Sequence, residues 1–312
     1  MKALVVGANG FIASHLVDEL ARRGDEVVAF DRYSRGPRYA KADNVFPFPG
    51  DFLNHADLKR AVAGVDTVFH FLSTSTPITA ENDPTLDLRT NVAQTVDFLH
   101  VCATADVRKL FYASSGGAIY GDKQGASSSE DDVPLPISPY AIGKLTVENY
   151  LRYFEVKFGL RSTALRISNP YGPGQSPMRP QGLIPIVLRA VRNGNPIKVF
   201  GEGTMVRDYI DVRDISTLVS RLLDKEAKHD LYNIGAGAGF SVNEVLDIVR
   251  EVTQQDFEIE KVAKPSTFVE YSVLDMSRYR EEFGSIPTRS LRDGIRDTWA
   301  ELANEDLDSG LI

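Results

Sequence analysis

Tyr140 and Lys144 stand four residues apart at the start of a segment that opens Ser138-Pro139-Tyr140-Ala141. Ser is a favoured helix N-cap, and Pro is favoured at the first helical position, where its missing N–H would be unpaired anyway. The spacing therefore puts a phenol and an ammonium on one helical face. A positive charge beside a phenol favours phenolate, so Tyr140 is expected to exchange a proton nearer neutral pH than its reference value of about 10. A surface tyrosine above a surface lysine has the same spacing, so the remaining elements decide between the two.

The chain has 312 residues, 43% hydrophobic and 25% charged, enough for one large domain or two smaller ones. Net charge is −8 and the pI is near 5.3. With no basic run, neither nucleic acid nor a membrane surface is an expected partner. Cys102 is the single cysteine and lies in an apolar helical stretch. No disulfide can form within the chain, which suits a reducing compartment. No leader or long apolar span is visible, so a cytoplasmic protein is expected. No metal ligand set is assigned.

The apolar run Ala3–Val6 reads as a strand, Ser14–Arg23 as a helix and Glu26–Phe30 as a second strand ending at Asp31. Between the first two lies Gly7-Ala8-Asn9-Gly10-Phe11-Ile12-Ala13. This is the layout of a dinucleotide-binding strand–helix–strand unit. Gly7 permits the tight turn, Gly10 lets backbone approach a pyrophosphate, and the helix N-terminus favours negative charge. Asp31 can accept hydrogen bonds from a ribose and disfavours a 2′-phosphate, which favours NAD over NADP, although Arg32 beside it could accept that phosphate. Alternation continues with strands at 46–48, 68–72, 109–113 and 161–167, and helices at 58–63, 87–105 and from Ser138. That pattern implies an α/β, Rossmann-type, doubly wound parallel sheet, with ligands at the carboxyl ends of the strands. Ser73, Ser115 and Ser168 fall at such ends. After Asn169 the texture turns mixed. The expected division is a cofactor domain at 1–168 and a smaller substrate domain at 169–312, with segments around 207–235 returning to the first. The last residues, from Asn304, are acidic and expected to fray.

Together, Gly7-x-x-Gly10-x-x-Ala13, Asp31, Gly50-Asp51, Asn91, Ser114-Ser115-x-x-x-x-Tyr120-Gly121, Tyr140-x-x-x-Lys144, Asn169-Pro170-Tyr171-Gly172-Pro173 and Arg207-Asp208-Tyr209 resemble the extended short-chain dehydrogenase/reductase superfamily. The resemblance is to its nucleotide-sugar epimerase/dehydratase branch, over nearly the whole chain. It implies NAD as cofactor and a homodimer built on the helices that carry Asn91 and Tyr140. Gly7, Gly10, Phe11 and Ile12 would hold the pyrophosphate, and Asp31 and Arg32 the adenosine ribose. Asp51 and Phe52 would flank the adenine. Phe71, Leu72, Ser73 and Ser114 would line the cofactor, with Asn91 beneath it. Tyr140 would be the acid/base, and Lys144 would hold the nicotinamide ribose. Thr74 and Ser115 would meet the sugar, Asn169 and Arg207 the rest of the sugar nucleotide, and Val199 and Phe200 its uracil. Plainer alternatives are Asp51 as a turn residue, Arg207 as a surface ion pair, and Phe11 and Ile12 as core contacts.

The chain departs from the branch at four places. Ala13 replaces a third glycine, and Asp211 a histidine. An arginine usual near the C-terminus is missing from Thr267-Phe268-Val269-Glu270-Tyr271, for which Lys264 or Arg278 could substitute. Gly116 and Ala118 stand where the branch carries hydroxyls, leaving Ser115 or Ser114 to serve. Branch members that dehydrate the sugar use acids at positions 117 and 118, where this chain has Gly117 and Ala118. Epimerisation at C4 requires none. The leading expectation is therefore an NAD-dependent 4-epimerase of a UDP-sugar. The alternatives are a reductase of a keto nucleotide sugar and a dinucleotide-binding sensor or scaffold. The shape of the chain around 74–78 and 116–118 is expected to select the sugar.

Overall fold

The structure, a computed structural model, describes residues 1–34, 36–75, 77–175, 182–265 and 268–309, without the side chains of 77, 78, 82 and 303–309. Its main sheet is built from β1 (Lys2–Val6), β2 (Glu26–Asp31), β3 (Val45–Pro49), β4 (Thr67–His70), β5 (Lys109–Ser115), β6 (Arg161–Ile167) and, after the short β7 (Asn169–Tyr171), β8 (Ile197–Phe200) and β9 (Val206–Asp211), β10 (Leu231–Ile234). The order is β10-β6-β5-β4-β1-β2-β3, and every pairing is parallel. The order in which strands are added reverses between β1 and β4, the place where such sheets open a crevice for ligands. Ala3–Val6 is fully buried because helices cover both faces, which is why this strand reads as a continuous apolar run. Pro47 and Pro49 are tolerated in β3 because it lies at the sheet edge.

Two apolar clusters sandwich the sheet. One joins Ala3, Val5, Phe69, Phe111 and Leu165 to Ile215, Leu218 and Val219 of the helix Val212–Arg221, and to Tyr232 and Ile234 of β10. The other joins Leu4, Val68, Leu110 and Tyr112 to Phe98 and Leu99, and to Val147, Leu151 and Phe154 of the helix Pro139–Phe158. The helix Val212–Arg221 and β10 thus pack with the main sheet, whereas β9 belongs to a separate sheet. A third cluster, with Val187, Leu188, Val245, Leu246 and Ile295, centres on β9 and its neighbours. β9 pairs with β7, with β11 (Gly239–Ser241) and with β13 (Tyr271–Ser272), while β12 (Ile259–Val262) pairs with β8.

Three elements differ from the sequence expectation. The long helix expected over 87–105 is broken: a short helix Pro84–Asp87 passes into a π-helical stretch, Leu88–Ala93, before α-helix resumes at Gln94–Thr104. Such π turns are frequent at functional sites, and this one carries Asn91. Residues 116–119 form a helical turn at the end of β5. The C-terminal stretch expected to fray is helical through Ser309, and 310–312 lie outside the described residues. Asp211, standing for the histidine, caps the helix Val212–Arg221 by accepting from the Arg213 N–H, and Arg213 bridges Asp211 and Asp297 at 2.7 Å each.

Candidate active site

Gly7 has φ +82°, a left-handed conformation that glycine adopts without steric cost. A Cβ there would lie 2.8 Å from the Leu72 backbone, and one at Gly10 would lie 2.9 Å from the Gly7 carbonyl. Bare backbone thus lines the mouth between β1 and β4. Gly10 caps the helix Phe11–Arg22, leaving the helix's first N–H groups directed at that mouth. Asp31 accepts from the Asn9 N–H at 3.0 Å and from the Arg32 N–H at 2.7 Å, which fixes the carboxylate at the loop's edge. Arg32 is exposed. These residues fit a dinucleotide: a cradle that side chains would fill, a helix N-terminus and an acid at the end of β2.

Other members of the proposed cofactor set are differently placed. Phe52 is a core residue, buried and stacked on His70 at 5.1 Å. Asp51 is a turn residue, accepting from the Leu53 N–H at 3.0 Å. Phe11 meets His15 edge to face at 6.2 Å, and Ile12 packs on the first cluster. Phe71 and Leu72 are half-buried, each against one cluster. Ser73 donates to the Ser75 carbonyl at 3.0 Å. Asn91 latches the loop after β4. Its Oδ1 accepts from the Thr74 N–H and hydroxyl, and its Nδ2 donates to Ser75 Oγ and Asp87 Oδ1, both at 2.8 Å. Thr76, and the side chains of Pro77 and Ile78, lie outside the described residues.

Tyr140 and Lys144 arrive on a well-terminated helix. Ser138 Oγ accepts from the Ala141 N–H, and Gly159 at φ +72° ends it. Its buried stripe, Ala141, Lys144, Val147, Leu151 and Phe154, contains the lysine. Lys144 Nζ donates to the Ala113 carbonyl at 2.8 Å and lies 4.8 Å from the Tyr112 ring centre and 5.7 Å from that of Tyr140. Burial pulls its pKa down to about 8, against the opposing charges of Asp87 and Glu148. Burial pushes the Tyr140 phenol up to about 12, with a hydrogen bond to Ser115 working against that and the Asp87 charge reinforcing it. This corrects the expected lowering of Tyr140. The ammonium sits over the rings with its charge balanced by two carboxylates, so desolvation of the phenolate dominates.

Ser115 and Ser114 face opposite sides of β5 because side chains alternate along a strand. Ser115 reaches Tyr140. Ser114 is turned away from the site, donating to Glu148 Oε1 at 2.5 Å, where Glu148 also holds the buried Arg166. The hydroxyl missing at 116 has a steric cause: a Cβ there would lie 2.6 Å from the Leu274 side chain and 2.9 Å from the Arg166 carbonyl. Gly117 faces the Asn169 amide, and Asn169 Nδ2 is anchored on the Asp208 carbonyl at 3.1 Å.

On the substrate side, Val199 is a core residue; the period of two along β8 buries it with Ile197 and turns Phe200 outward, where it meets Phe268 at 5.1 Å. The Arg207 guanidinium is not in a surface ion pair. It donates to the carbonyls of Val206, Val269 and Glu270 at 2.8, 2.6 and 3.3 Å, which leaves Nε and one Nη2 hydrogen without a described partner. Of the two substitutes for the absent arginine, Lys264 is paired with Glu270 and Arg278 with Asp131. Thr267 lies outside the described residues. Sequence reasoning missed Asp87, Tyr112 and Glu148 around the lysine. Glu148 continues the Tyr140–Lys144 spacing by one more turn, a signal available in the sequence, whereas Asp87 and Tyr112 come from distant segments.

Comparison with known proteins gives the same answer. A UDP-glucose 4-epimerase of Mycolicibacterium smegmatis is 32% identical over 304 residues, covering 96% of this chain and 97% of that protein. A dTDP-4-dehydro-6-deoxyglucose reductase of Escherichia coli is 31% identical, covering 94% of each. The crystal structure of a Thermotoga maritima UDP-glucose 4-epimerase with UDP-glucose superposes with a TM-score of 0.91 at 31% identity, covering 98% of this chain and 99% of that one. Residues 3–235 match the model of the NAD dependent epimerase/dehydratase family. With the glycine cradle and the Tyr140–Lys144 pair at the rim of a doubly wound sheet, the chain belongs to that family.

Proposed function

We propose that the protein is an NAD-dependent 4-epimerase of a UDP-sugar. The observation that carries this reading is the Ser115–Tyr140–Lys144 cluster facing a segment, 116–118, with no carboxylic acid. Gly7, Gly10 and Asp31 would hold NAD, whose chemistry is to take a hydride from the sugar's C4 and return it to the opposite face. Tyr140 accepts the proton of the C4 hydroxyl as the hydride leaves, and Ser115 relays it from the sugar oxygen. Lys144 holds the nicotinamide ribose and supplies positive charge. Tyr140 accepts that proton as phenolate, and the positive charge that bound NAD would supply would favour this form against the desolvation that raises Tyr140 in the free protein. Asn169 and the remaining donors of Arg207 would meet the rest of the sugar nucleotide, and Phe200 with Phe268 would offer aromatic faces for its base.

The Escherichia coli relative supports a second reading, reduction of a 4-keto nucleotide sugar. Incubation with NAD and UDP-glucose, UDP-N-acetylglucosamine or UDP-glucuronate, and in parallel with NADH and a 4-keto nucleotide sugar, separates the two. The C4 epimer with no net change in nicotinamide absorbance supports the epimerase, and stoichiometric oxidation of NADH by a 4-keto sugar supports the reductase.

A homodimer is part of the proposal. Ile142, Tyr150, Tyr153, Val156 and Phe158 leave an exposed apolar stripe on the helix Pro139–Phe158. No described helix is long and apolar enough to cross a membrane, and the free thiol of Cys102 is buried. A cytoplasmic setting accords with both.

A further inference from the structure

Asp87 is 3% exposed, yet it is a carboxylate with no cation in direct contact among its described hydrogen bonds. Its Oδ1 accepts from Ser75 Oγ and Asn91 Nδ2, which binds it to the loop after β4. Its Oδ2 lies against the backbone of Gly143, so close that a Cβ there would collide with it, with the carboxyl carbon 3.1 Å from that Cβ. Gly143 sits between Tyr140 and Lys144 on the first turns of their helix. Glycine in a helix interior is destabilising relative to alanine, and here its missing side chain leaves room for the carboxylate. Asn91, four residues on in the π-helical stretch Leu88–Ala93, donates back to Asp87 Oδ1.

We propose that Asp87 is a positioning residue for the Tyr140–Lys144 pair, seated by Ser75, Asn91 and the bare Gly143 so that its charge holds Lys144 as an ammonium and fixes the first turn of the helix. The titratable groups facing Lys144 are Tyr112 on β5, His70 on β4, Tyr140 and Glu148 on its own helix, and Asp87. Tyr112 and Tyr140 are neutral phenols, and burial holds His70 neutral, with its pKa down to about 3. Glu148 is shared with Arg166. Asp87 is thus the opposing charge that no other cation claims among the described residues, and its position gives it influence over both members of the pair.

This inference rests on the reading of Lys144 as part of the active site, but its test does not need turnover. Lysine side-chain NMR, assigned with Lys144→Met, reads the Lys144 titration in the cofactor-free protein. Asp87→Asn keeps an oxygen for Ser75 and Asn91 and removes the charge. It is expected to move the Lys144 midpoint from about 8 to lower pH by roughly one unit, as loss of a close opposite charge does. The alkaline limb of the kcat profile is expected to follow, with KM for the sugar nucleotide changed less than about threefold, because ground-state binding is untouched. Gly143→Ala is expected to reproduce the shift by displacing the carboxylate and to add nothing in an Asp87→Ala background. An unchanged Lys144 midpoint in Asp87→Asn overturns the proposal, as does a Gly143→Ala effect that persists without Asp87. If the wild type makes no epimer while Asp87→Asn still shifts Lys144, the reaction assignment fails and the positioning role stands.

Discussion

Tyr140 and Lys144 are inverted relative to the simplest view of a tyrosine–lysine pair. Burial dominates both, raising the phenol to about 12 and lowering the ammonium to about 8. The proton transfers assigned to Tyr140 therefore depend on the cofactor's charge, and the pair's pH behaviour follows from Lys144. Its cationic form is present below about 8 and is lost as pH rises through that value. Since the cation is what favours phenolate, kcat/KM is expected to fall above pH about 8, and a profile flat from about pH 7 to about 9.5 would contradict this. Tyr140→Phe removes the proton acceptor without removing packing. It is expected to lower kcat by about a thousandfold, within the range for general acid–base groups, while NAD still binds. Activity within threefold of wild type in Tyr140→Phe would favour a sensor or scaffold.

At the scale of elements, the parts legible in the sequence were those written locally. Gly7 through Asp31 is one contiguous strand–helix–strand unit, and Ser138-Pro139 announces the helix that carries the pair. What was not legible depends on distant partners. Nothing near Gly116 says that Leu274 and the Arg166 carbonyl occupy the space of a side chain there. Nothing near Ser114 says that Glu148 will take its hydroxyl. The resemblance marks the segment of Val199 and Phe200, and the alternation of β8 decides which side chain is buried and which faces outward. The π turn was hidden because helical periodicity tolerates one extra residue. The glycine loop makes its own test. Gly7→Ala puts a Cβ at φ +82° against the Leu72 backbone. It is expected to cost about 1–3 kcal/mol of stability, as strained left-handed positions do, and to weaken NAD binding by calorimetry. Unchanged affinity would place the cofactor elsewhere.

At the scale of the molecule, the site is a joint between two bodies of sheet. Ser168 and three backbone N–H groups, of Ala236, Gly237 and Leu274, converge on the buried Asp208 of β9. That cluster ties β9 to the carboxyl ends of β6 and β10, which brings Asn169 and Arg207 to the rim where Tyr140 waits. The apolar stripe on the helix Pro139–Phe158 extends the same helix outward to a second copy in the proposed dimer. Val156 is 84% exposed and Tyr153 46%, so both present much of their surface outward, although Tyr153 also meets the Phe154 ring edge to face. Val156→Glu together with Tyr153→Glu is expected to halve the mass measured by light scattering with little change in Tm. A wild type that is already monomeric at micromolar concentration would remove the dimer from the account.

The central claim is that a hydride leaves C4 and comes back to the same carbon. UDP-glucose carrying deuterium at C4, incubated with the NAD-loaded protein in ordinary water, tests it most directly by NMR of the products. The expected result is UDP-galactose that retains the deuterium at C4, because the label never enters solvent. Loss of the label to water, or no C4 epimer from labelled UDP-glucose, UDP-N-acetylglucosamine or UDP-glucuronate, would contradict it.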